Sequence, residues 1–264
     1  MIDNAIAFNA GAAAFIVANP ITLAQLAQSM PVPPGVPNIN NLRTGFTLTT
    51  DALHGLPVPG ALPKLRMQPV GGPAIVPLPP PGGFLTTIDA LYCHASVGGT
   101  PLNALPYCDI NSVPGAADAL TLFTTGMNGC SLVVLSAVAP GAAALAPGFL
   151  RVVHDHDHRD WATWNAAGYT VRFAAYENLA DAGVIPGGLA PAPVVVTYNP
   201  HNYPWNMPVP GQVFPGVRVA TNFLRWNGAN WTFNSRHYVD FGGVPFDIDD
   251  PLGAGATSTQ SVNI

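Results

Sequence analysis

The 264-residue chain sets 9 Lys and Arg against 14 Asp and Glu, a formal net charge of -5, and has no basic patch of the kind that binds nucleic acid. Only 9% of residues are charged and 48% are hydrophobic, which excludes ordinary disorder and provides for a substantial core. The 29 prolines and 27 glycines predict many short strands punctuated by stiff loops, hence a β-rich domain.

The first twenty residues are apolar, but Asp3 stands where a secretory signal would be basic. Gly and Asn also interrupt the run before it reaches the length of a membrane span. Neither a signal peptide nor a transmembrane helix is expected. Residues 4–30 predict two helical pieces. Asn19 caps the second, Pro20 occupies its first turn, and Ile21, Leu23, Leu26 and Ala27 form its apolar face. The Pro-rich tract Pro31–Pro37 ends it. Strands are expected at Gly45–Thr50, Lys64–Pro69, Ala74–Leu78 and Phe84–Ser96, with Pro79–Gly83 as a turn.

Turn residues at Asn111–Ala117 lead to two apolar runs, Ser131–Val138 and Phe149–Val153, joined by the small-residue connector Ala139–Gly148. These read as adjacent strands. Antiparallel pairing would bring Cys130, at the head of the first, beside His154, at the end of the second. Further on, Trp161–Ala167 predicts a short helical turn, Tyr169–Tyr176 and Pro193–Tyr198 predict strands, and Asn199–Gly216 is a Pro-rich loop. Val217–Trp226 and Trp231–Phe241 flank Asn227-Gly228, the signature of a hairpin. Residues 253–264 read as a disordered tail. No repeat or shift in composition marks a second domain, so a single domain spanning residues 1–264 is expected.

Three cysteines cannot all pair within one chain: Cys93 and Cys108 could form a bridge, but three reduced thiols at Cys93, Cys108 and Cys130 are the favoured expectation. Their spacing is not that of a zinc site. Cys93 and His94 are neighbours on a predicted strand and so face opposite ways, while Cys108 reads as a loop thiol. Cys130 is open to two readings: a small buried apolar side chain, or a nucleophile whose thiolate an imidazole stabilises. The alternation His154, His156, His158 is likewise open. On a continuing strand it could converge on zinc or copper, and after the strand it would be a solvated loop. The exposed-looking aromatics of Tyr198–Trp205 and the Trp226/Trp231 pair read as a contact surface for sugar or protein, with cross-strand packing as the alternative for the tryptophan pair.

The wording around Cys130 resembles the bacterial glutamine deamidase toxins, the Burkholderia lethal factor-like proteins above all, with the cytotoxic necrotizing factors more distant. Their motif is a strand ending in Leu-Ser-Gly-Cys, which here reads Met127-Asn128-Gly129-Cys130. Thr124 matches a functional threonine six residues before the cysteine, and Thr44–Thr49 is similar to the family's early strand after an N-terminal helix. The likeness covers Thr44 to Asp155, with a longer connector before His154 than the family has.

The resemblance implies an α/β fold: a β-sandwich-like core of mostly antiparallel strands flanked by helices. It implies Cys130 and His154 as the catalytic pair, with Thr124 in support and Asn128 and Gly129 beside the oxyanion or substrate. The reaction it implies is conversion of a substrate protein's glutamine to glutamate, with no cofactor and no metal. A cysteine protease or a transglutaminase shares the same thioester logic. The implied partner is a host protein, an initiation-factor RNA helicase or a Rho-family GTPase. Neither nucleic acid nor membrane is an expected partner, and a monomer is expected. Secretion by a route that reads no classical signal, with action in the target-cell cytoplasm, completes the expectation. Target choice is expected to lie in the low-charge loops Pro31–Pro37, Pro77–Gly83, Ala139–Gly148 and Asn199–Gly216, which favour apolar, shape-based docking.

Overall fold

The computed structural model describes residues 4–18, 21–22, 40–50, 65–69, 88–124, 127, 129–185, 187, 192–198, 217–241, 244–247 and 259–264. Asn128, residues 23–30, the tracts 31–37, 74–83 and 199–216, and the first part of the expected tail lie outside the described residues.

Two mixed sheets carry the fold. The first joins β1 (Ile21–Thr22), β3 (Leu65–Pro69), β2 (Leu42–Thr50), β4 (Ile88–Cys93), β6 (Thr121–Thr124), β11 (Val217–Trp226), β12 (Trp231–Phe241) and β13 (Val244–Asp247), with β14 (Thr259–Asn263) also on β12. The second has the order β10 (Val194–Thr197), β9 (Thr170–Tyr176), β7 (Ser131–Ala137), β8 (Phe149–Asp155), β5 (Tyr107–Asn111). Antiparallel pairs predominate, but β1 with β3, β4 with β6, and β10 with β9 run parallel. The described helices are short: α1 (Asn4–Ala10), α2 (Ala12–Ala18) and α3 (Trp161–Ala166). None is long and apolar enough to cross a membrane. The expected α/β class is therefore corrected to a β-rich one, because the tertiary burden falls on sheet pairing and not on helices of two turns.

Three apolar clusters explain why these segments pack. Between the sheets, Leu122, Leu224 and Phe233 of the first meet Leu132, Val134, Val152 and Phe173 of the second. On the far side of the first sheet, Phe8 and Phe15 of the N-terminal helices pack on Phe46, Tyr92, Phe123 and Phe223. On the far side of the second, Trp161 and Trp164 cover Val133, Leu135 and Val153. Strand β7 is thus covered on both faces, which is why its sequence runs apolar without alternating.

The cover begins at Asp160, whose carboxylate accepts the Thr163 N–H at 2.8 Å and caps α3. Trp164 is fully buried, donates its indole N–H to the Arg159 carbonyl, and meets Tyr169 edge-on at 5.3 Å. Trp164→Ala is expected to lower stability by about 3–5 kcal/mol through the cavity it leaves. Urea denaturation checks this, and a loss near zero would mean that α3 does not seal the sheet.

Three local readings are corrected. Ile21–Thr22, expected in a helix, pairs with Leu65–Arg66 as a parallel strand. Cys108, read as a loop thiol, lies in β5 and is fully buried. The polar run around it misleads because Asp109 is neutralised across the ladder by Arg151, which holds it by two hydrogen bonds of 2.7 and 2.8 Å. The end of the expected disordered tail, Thr259–Asn263, is an edge strand on β12. The Asn227-Gly228 hairpin forms as expected, with φ of 101° at Gly228.

Candidate active site

Cys130 sits at the open end of the inter-sheet core, 8% exposed, just before β7. The turn that delivers it uses Gly129 at φ 81°, a left-handed conformation that a side chain would strain. The expected hairpin of β7 and β8 is present, and its register decides which imidazole meets the thiol. Ser131 faces Asp155 and Leu132 faces His154, so the next position outward puts Cys130 opposite His156. The side chains follow: Cys130 Sγ lies 3.6 Å from His156 Nδ1. The resemblance had pointed to His154, one pleat further in. Both histidines point to the same face, since the pleat repeats every second residue. The hairpin connector, not the alternation, selects between them.

His154 occupies a different environment. It is fully buried, and its Nδ1 shares a hydrogen bond with the Thr124 hydroxyl from the facing sheet. Its backbone carbonyl accepts the Ser96 N–H at 2.9 Å. Burial, and secondarily the nearby His156, push its pKa down to about 3, so the ring is neutral at physiological pH. A neutral ring bound to a hydroxyl is suited to holding the inner wall of the site.

The outer imidazole is held from the loop that follows β4. Ser96 Oγ accepts the His156 backbone N–H at 2.9 Å. A Cβ at Gly98 would come within 3.1 Å of His156 Cδ2, so this loop lies flat against the ring. The turn beyond is pinned by charge. Asp155 accepts the Asp157 and Arg159 backbone N–H groups and pairs with the Arg159 guanidinium, which also reaches Asp157 at 2.6 Å. Asp157 in turn accepts the Gly99 N–H at 2.9 and 3.1 Å. Burial raises the Asp155 pKa, against the opposing pull of Arg159. The strand ends at Asp155, and His158 adopts φ 39°, so the three-histidine alternation does not continue along a strand. Among the described residues no three His, Cys, Asp or Glu side chains gather as a metal-binding group.

Two residues that no motif announced complete the surroundings. Tyr198, expected among exposed aromatics, is instead fully buried and donates its hydroxyl to the Cys130 carbonyl, fixing the peptide that bears the thiol. Glu177 lies on the other flank, its Oε2 3.7 Å from where a Gly129 Cβ would be. Glu177 follows β9 and Tyr198 follows the edge strand β10, both more than 40 residues downstream of the cysteine by sequence number, where only the fold could have found them. Cys93 and Cys108 stand apart from this site in the inter-sheet core. Cys93 Sγ is 3.5 Å from the Val152 carbonyl and Cys108 Sγ 3.2 Å from that of Tyr92. None of the three cysteines forms a disulfide among the described residues.

No family model matches the sequence, and no curated protein matches it. Among solved structures, the chain is similar to the C-terminal domain of CNFy from Yersinia pseudotuberculosis at 7% identity, covering 67% of this chain, with a TM-score of 0.29. The match spans 62% of that chain, and an overlap so low carries no argument about the site.

Proposed function

We propose that this protein is a thiol amidohydrolase that converts a glutamine of a substrate protein to glutamate, with Cys130 as nucleophile and His156 as its base and acid. The observation that carries the reading is the 3.6 Å contact between a nearly buried thiol and an exposed imidazole at the end of the inter-sheet core. In the first half-reaction His156 takes the thiol proton and sulfur attacks the side-chain carboxamide carbon. Backbone N–H groups around Gly129 and Cys130 face the developing oxyanion, and Asn128 is placed beside them by sequence. The C–N bond breaks, His156 returns the proton to departing ammonia, and a thioester remains. Water then attacks the thioester with His156 again as base, releasing glutamate and the thiol.

Thr124 and His154 support the site from within under this reading, and Thr124 is not asked to touch the substrate. The substrates to try first are the two that the resemblance implies, an initiation-factor RNA helicase and a Rho-family GTPase, met in the cytoplasm of a target cell. The test is to incubate host-cell lysate with the protein or with Cys130→Ala and to search by mass spectrometry for glutamines gaining about one dalton, an amide exchanged for an acid. Sites modified only by the unsubstituted protein name the target. Cleaved or cross-linked peptides would reassign the chemistry to a protease or a transglutaminase, and an unchanged lysate would count against any protein substrate within it.

A further inference from the structure

Two sheet registers converge on Cys130. On the β8 side, one step beyond the Ser131–Asp155 pair sets it opposite His156. On the β9 side, Leu132 faces Ala175, and two steps outward set Cys130 opposite Glu177. Facing residues of an antiparallel pair point the same way, and Leu132 and Ala175 both enter the inter-sheet core. The ends of three neighbouring strands therefore present a row: imidazole, thiol, carboxylate. The half-buried Glu177 approaches the Gly129 turn with Oε2, and its backbone carbonyl is held by the Thr197 hydroxyl at 2.5 Å. By register the imidazole stands on the β8 side of Cys130 and the carboxylate on the β9 side.

We infer that Glu177 is the specificity-determining residue of this site, selecting a primary carboxamide over a carboxylate. The inference rests on Cys130 being the nucleophile. An ionised carboxylate only accepts hydrogen bonds, and a glutamine side chain offers two N–H donors where glutamate offers none. Glu177 thus holds the amide nitrogen on the flank away from the base, attracts the ammonia nitrogen as it becomes cationic, and repels the glutamate product by like charge.

Iodoacetamide and iodoacetate test this without a known substrate. They match in size and differ as amide and acid, and with either one sulfur bonds to the CH2 carbon, iodide leaves and the thiol proton passes to His156 or buffer. The rate at Cys130 is followed by mass spectrometry in the full chain and normalised to free cysteine for each reagent. The expected amide preference is about tenfold, the effect of one like charge near the sulfur. It should fall toward one in Glu177→Gln, persist in Glu177→Asp, and shrink in the unsubstituted protein as salt is raised. The salt series guards against a Glu177→Gln variant that merely unfolds. Fast labelling with the same normalised ratio in the unsubstituted protein and Glu177→Gln, and no response to salt, would overturn the role of Glu177 and leave the thiol standing. No labelling of Cys130 by either reagent would remove the thiol chemistry itself.

Discussion

His156→Ala is expected to lower kcat/KM for glutamine deamidation by about 10²–10⁴-fold, the usual contribution of a positioned base and acid. The same substitution should shift stability by only ~0.5 kcal/mol, because the ring is exposed and its turn is pinned by the Asp155, Asp157 and Arg159 contacts, not by the imidazole. His154→Gln preserves a donor and an acceptor for the Thr124 hydroxyl and is expected to cost far less activity. The contrast separates the two histidines: a large loss in His154→Gln with activity retained in His156→Ala would return the base to the inner position. Both rates are to be measured on the first target peptide that lysate experiments provide, with thermal melts beside them.

Acid should unfold the protein through His154. Its folded-state pKa of about 3 lies below the ordinary value of 6.5, because burial disfavours the charged ring. Between those two values the unfolded chain binds a proton that the folded chain refuses, so stability must fall as pH drops through this window. Full traverse of the window is worth several kcal/mol, on the order of 4, a large part of the stability of an ordinary domain. Asp155 acts in the opposite sense, since burial raises its pKa and its protonation relieves the folded state. Asp155 is present in both the unsubstituted protein and His154→Gln, so the cleanest comparison is urea unfolding of the two at pH 7 and pH 5. The denaturation midpoint is expected to fall over that interval in the unsubstituted protein and to fall distinctly less in His154→Gln. Equal slopes in the two proteins would mean that the His154 ring charges readily and is not sealed between the sheets.

Much of the fold could be read from local signals. The Asn227-Gly228 turn announced the long hairpin, and the β-branched runs of β7, β8 and β9 announced the strands around the cysteine. The likeness around Gly129-Cys130 pointed to the thiol, and the structure brings Thr124, His154 and Cys130 to the same end of the core. The register escaped. A pleat of two residues places His154 and His156 on one face, so patterning cannot tell which of them meets Cys130, and the connector between the strands makes that choice. Glu177 and Tyr198 escaped for another reason: each is an ordinary residue at a strand end, given meaning only by which strands lie side by side. Cys108 reads as a loop thiol because a charged residue follows it, and only the ladder shows that Arg151 pairs with that Asp109 carboxylate. The polar segment Thr259–Asn263 has no hydrophobic period, and backbone pairing with β12 recruits it.

Activation of the Cys130 thiol by His156 is read out by the rate of Cys130 labelling with iodoacetamide at pH 7. The unsubstituted protein should label fast, His154→Gln nearly as fast, and His156→Ala slower by about tenfold or more, as expected when a thiolate loses its neighbouring imidazole. Equal rates in the unsubstituted protein and His156→Ala would mean that the imidazole does not activate the thiol.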